Sequence, residues 1–136
     1  MRPARCRDRG AVSVEVAITA PLLILLAMFL IFCGRAASAA IDVNAAAAAA
    51  ARAAADAPGP TAAAASAQEA VAATGAGTAW SCTTSTQPSR QWRGGQVTVT
   101  VSCVVPLTDL GVPLGASRTV TASATEPVDI YRAGPP

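Results

Sequence analysis

The chain reads as an α+β protein. A long N-terminal transmembrane helix continues into an alanine-rich helix, and a small antiparallel β-sheet follows. Three observations predict this. Residues 16–33 carry no charged side chain over eighteen positions. Alanine dominates from residue 36 to residue 57, with no helix breaker before Pro58. Residues 96–103, Gln-Val-Thr-Val-Thr-Val-Ser-Cys, alternate strictly between polar and apolar side chains.

Each element follows from local chemistry. As a helix, the eighteen uncharged residues span about 27 Å, close to the ~30 Å hydrocarbon core of a bilayer. Pro21 falls in the first turns of this run, where a proline kinks a membrane helix without ending it. Alanine is the best helix former, so the helix is expected to run on to about residue 57. Arg35, Ser38 and Asp42 share one polar stripe, and Arg52 and Asp56 stand four apart on one face. Pro58-Gly59-Pro60 stops the helix. Residues 61–74 form a second, shorter helix closed by Gly75-Ala76-Gly77, folded back as a hairpin or laid on the sheet.

The remainder changes period. Strands are expected at 79–84, 96–103 and 118–125. Trp80 and Cys82 face inward on the first, Val97, Val99, Val101 and Cys103 on the second, and Val120, Ala122 and Ala124 on the third. The segment 106–117, PLTDLGVPLGAS, has too much proline and glycine for a regular element, and its leucines would cover a sheet edge. A hairpin between the first two strands turns near Trp92-Arg93, which sets Cys82 opposite Cys103. In an exported compartment these two form a disulfide. Arg90-Gln91-Trp92-Arg93-Gly94-Gly95 is then a basic hairpin tip with an exposed aromatic.

Composition bounds the function. Aromatics are only 4% and charged residues 13% of 136 residues, about half the usual charged share of a soluble domain. Arg2, Arg5, Arg7 and Arg9 crowd the first ten residues, and from Ala11 onward six arginines meet seven acids. No basic face remains for nucleic acid. The chain has no histidine and no lysine, so no nucleophile–base pair stands out, and an enzyme is not expected. The four cysteines lack CxxC spacing, so neither a metal site nor a cofactor is expected.

The arginines precede the apolar run, which puts the N-terminus in the cytoplasm and the rest outside. The run alone is an uncleaved signal anchor or a secretory signal peptide. The second has an A-x-A site, Ala37-Ser38-Ala39, with cleavage before Ala40. Against it stand the length of the run and Arg35 between run and site.

Neither explains Glu15, a lone carboxylate at the start of the greasy stretch. Gly10-Ala11-Val12-Ser13-Val14-Glu15 resembles a type IV prepilin cleavage site. The resemblance implies a cytoplasmic leader over 1–10, cutting between Gly10 and Ala11 by a prepilin peptidase, and retention of the helix in the product. It also implies that Glu15 pairs with the free N-terminal amine of a neighbouring subunit.

Arg9-Gly10, Val14-Glu15, Ala20-Pro21-Leu22-Leu23 and Gly34-Arg35 together resemble the TadE-like family of the tight-adherence (Flp) pilus system. The likeness covers residue 9 to about residue 57. Val16 departs from it, because the family often has an aromatic there; the chain's length favours TadE over TadF. The resemblance implies a minor pilin or pseudopilin in the cytoplasmic membrane. Its partners would be prepilin peptidase, other pilins, assembly-platform proteins and membrane lipid. The expected organisation is a leader at 1–10, a transmembrane helix at 11–35, an alanine-rich helical region at 36–74 and an exported β-rich domain at 75–136.

Overall fold

A computed structural model describes residues 9–108, 115 and 117–131. Its elements are α1 (Arg9–Ala55), α2 (Pro60–Ala72), α3 (Gly75–Ala79), β1 (Ser81–Pro88), β2 (Gln96–Pro106) and β3 (Ser117–Pro127). The expected fold class is the observed one.

Helix α1 is continuous for 47 residues and contains Pro21, so it is about 70 Å long. Proline supplies no N–H, so the Ala17 carbonyl loses its usual donor. One turn earlier the Thr19 hydroxyl donates to the Glu15 carbonyl at 2.8 Å. The helix ends at Ala55, just before Pro58-Gly59-Pro60. Pro60 then opens α2, where its missing N–H and fixed φ suit the first turn.

The sheet is antiparallel, in the order β1-β2-β3. On central β2 the five residues Val97, Val99, Val101, Cys103 and Val105 are all fully buried. They face α1 and α2, which cover one side of the sheet. The opposite side is a lattice of hydroxyls. Thr98 pairs with Thr125 at 2.8 Å, and Ser102 with Thr121 at 3.0 Å. Such cross-strand pairs suit a face left to water.

Only the folded-domain half of α1 is buried. Its buried positions are Ala39, Val43, Ala46, Ala47, Ala50, Ala51, Ala54 and Ala55. Their spacing of three, four and one marks a single helical stripe. Because almost every member is alanine, α1 and α2 can approach closely. Among the described residues no leucine, isoleucine or phenylalanine is fully buried, and the largest fully buried side chains are valines and Cys103.

β3 runs alongside α1. Ala36 lies near Val120 at one end, and Arg52 Nε lies 3.6 Å from Glu126 Oε1 at the other. The lengths are similar. Sixteen helical residues from 36 to 52 rise about 24 Å, and six strand residues from 120 to 126 rise about 20 Å. With Arg52 largely exposed, the ion pair contributes little to stability.

The first strand differs from expectation. Ala79 belongs to α3 and Trp80 caps it, so β1 starts at Ser81 and runs on to Pro88. The Gly75-Ala76-Gly77 segment is helical rather than a closing turn. Thr74 nucleates it by accepting the Gly77 N–H at 3.3 Å. Gly77 is required there, because a Cβ would overlap the Val71 carbonyl. Trp92, expected to be exposed, is partly buried against the core. Glu126, expected in a loop, lies on β3. The leucines expected to cover an edge lie mostly at 109–114, outside the described residues.

Candidate functional site

The candidate site is the free half of α1 and its junction with the folded part. From Val14 to Ile31 the large apolar side chains are 52–67% exposed. An isolated helix with apolar residues on every side is unstable in water and belongs in lipid or among other helices. It is the one candidate membrane span among the described residues, near the N-terminus.

The residues singled out by sequence fall at the start of this helix. The backbone at Gly10 and Ala11 lies in the first turns of α1. Glu15 follows on the exposed surface. Ala11 and Glu15 are four residues apart, which is about 6 Å along the axis and the same face. Cys6 lies outside the described residues. Cys33 is a free, exposed thiol on the apolar stretch.

At the junction α1 docks on the sheet. Phe32, Ala36 and Ala39 pack with Val105, Trp80 and Val120. Sequence reasoning missed this contact. The 3–4 spacing that signals it runs through alanines on every face, so hydropathy carries no contrast.

Cys82 and Cys103 are directly opposed in the β1–β2 register, and they form a disulfide with a Cα–Cα distance of 4.0 Å. The bond ties edge strand β1 to the central strand. β1 needs it: its inward positions after Cys82 are Thr84 and Thr86, and the buried Thr86 hydroxyl has no hydrogen-bond partner.

Among the described residues, no group of three or more His, Cys, Asp or Glu gathers in a way that could hold a metal ion. What the arrangement offers is surface: an exposed apolar helix continuous with the part of α1 that packs in a small disulfide-tied domain.

Residues 10–52 match the TadE-like protein family. The match opens on Gly10, runs through the exposed apolar stretch, and ends within the part of α1 buried against the sheet. Its limits correspond to the segment whose motifs carried the resemblance. No curated protein matches the chain, and no solved structure does. The matched segment contains the part of α1 that is long and apolar enough to cross a membrane.

Proposed function

We propose that the protein is a minor pilin or pseudopilin-like component of a tight-adherence pilus or secretion assembly. It is matured by a prepilin peptidase between Gly10 and Ala11 and held in the cytoplasmic membrane by α1. Its N-terminus faces the cytoplasm and its β-rich part faces outward. Partners are other pilins and platform proteins that pack on the apolar half of α1. It acts by assembly, not catalysis.

The observation that carries this reading is the TadE-like match beginning at Gly10 and covering an α1 stretch with no partner among the described residues. A carboxylate among apolar helices needs a cationic partner. The amine freed at Ala11 supplies one. If Glu15 binds the amine of a neighbouring subunit, adjacent helices are offset by about 6 Å along their axes.

A secreted domain released after Ala39 is the competing reading. Such a cut removes Phe32, Ala36 and Ala39, whose contacts with Val105, Val120 and Trp80 would be lost. That favours retention of the helix.

The test is the N-terminus of the protein recovered from membranes, read by mass spectrometry. A start at Ala11 is expected. A start at Ala40 or an intact Met1 overturns the proposal. Glu15→Ala is expected to leave cutting intact and weaken assembly; normal co-purification with partner pilins would return Glu15 to a plain interfacial acid.

A further inference from the structure

A cleft of about 370 Å³ opens where the apolar stretch of α1 meets the folded part. Ala36 and Ala39 form one wall, Val105 and Val120 the floor, and Arg118 and Thr119 the rim. It exists because α1 presents only alanine here, leaving room beside β3. Arg118 shares the helix-facing side of β3 with Val120 and Ala122, at the strand's first turn of register. At the other end of that side Glu126 meets Arg52. No carboxylate among the described residues pairs with Arg118.

The helix sets the depth of the cleft. The uncharged stretch ends at Gly34, just before Arg35. Ala36 lies about 3 Å and Ala39 about 7.5 Å further along the axis. The headgroup layer is about 5–7 Å thick on each side of the hydrocarbon core. The cleft therefore sits at headgroup level, just outside the acyl chains. Trp80 packs at the same junction, at the depth where tryptophan concentrates in membrane proteins.

We propose that this cleft binds the headgroup of an anionic phospholipid from the leaflet on the folded domain's side. The Arg118 guanidinium takes the phosphate oxygens by charge-assisted hydrogen bonds. The glycerol backbone lies on Ala36, Ala39, Val105 and Val120. An apolar floor continuous with a membrane-spanning surface suits a lipid better than a soluble phosphate. The lipid would fix how far the domain stands off the bilayer. The inference rests on the reading of α1 as membrane-spanning.

The test uses the full-length protein in phosphatidylcholine nanodiscs containing a minor fraction of phosphatidylglycerol. After release into detergent, native mass spectrometry counts the lipid retained. Wild type is expected to retain phosphatidylglycerol over phosphatidylcholine. Arg118→Gln is expected to cut that retention about fivefold, whereas Arg90→Gln at the distal hairpin leaves it unchanged. Near-ultraviolet circular dichroism establishes that the Arg118 variant is folded. Equal retention by the folded Arg118→Gln variant overturns the lipid site alone. Displacement of the lipid by an equal concentration of inorganic phosphate also overturns it, in favour of a soluble anion. Wild type that fails to enter nanodiscs overturns the membrane-spanning reading and the lipid site with it.

Discussion

Removing the Cys82–Cys103 bond should cost this small domain a large part of its stability. The two cysteines are 21 residues apart in sequence. Closing a loop of that size in the unfolded chain lowers its entropy by an amount worth about 3 kcal/mol at 25 °C. Domains of this size are typically stable by only about 5–15 kcal/mol. Among the described residues the core is mostly alanines and a few valines, with no larger aliphatic side chain fully buried. The perturbation is the double variant Cys82→Ala/Cys103→Ala in a detergent micelle, compared with oxidised wild type. Thermal and guanidinium unfolding are both followed by tryptophan emission, since Trp80 and Trp92 both pack on the core. The expected melting-temperature drop is roughly 12–25 °C, from about 4–8 °C per kcal/mol in a domain of about 100 residues. The denaturant slope should rise, because the unfolded chain without the cross-link exposes more surface. Cys103 is fully buried, so its truncation also leaves a small void. Wild type refolded in reductant keeps both sulfurs and isolates the cross-link. If reduced wild type lies within about 1 kcal/mol of oxidised wild type, the chain-entropy reasoning is refuted.

Two further substitutions test the packing. Ala50→Leu places three extra carbons at a fully buried position of α1 and is expected to cost about 1–3 kcal/mol in thermal or chemical melts. Ala45→Leu on the exposed side of the same helix should stay within about 0.5 kcal/mol; equal effects would mean that the buried stripe is misplaced. Gly94→Ala at φ +71°, with Ile130 Cγ2 2.5 Å from the new methyl, is expected to cost about 1–3 kcal/mol. A neutral result in calorimetry would show that the hairpin tip relaxes around it.

Much of the fold is legible because hydropathy and period carry it. The uncharged stretch shows a helix long and apolar enough to cross a membrane. The alternation from Val97 to Cys103 places one face of β2 inward, and the observed burial follows it residue by residue. The hairpin midpoint near Trp92 set Cys82 against Cys103, and the register joins them. By contrast, Ser-Cys-Thr-Thr-Ser-Thr-Gln-Pro carries almost no apolar alternation. Its full length as β1 follows from the hydrogen-bonding groups that β2 offers along its edge. Trp80 looks like a strand residue by propensity, yet it caps the helix that Thr74 starts.

At the site the division is similar. Gly10, Ala11 and Glu15 stand out in the sequence because each is a local oddity: a glycine behind arginines, and an acid ahead of a greasy run. The cleft beside Arg118 has no such signature. It depends on which alanines of α1 face the sheet, and a run such as Ala45 to Ala51 looks the same from every side. Sequence by itself determined where the chain can enter a membrane, where its helices break and which strand is central, since those depend on composition and period along the chain. Tertiary structure alone decided which alanine face is buried, how β1 is held, and that Arg118 lies beside Ala36 and Ala39 of α1. Those depend on contacts between segments far apart in sequence, to which a uniform alanine surface gives no local clue.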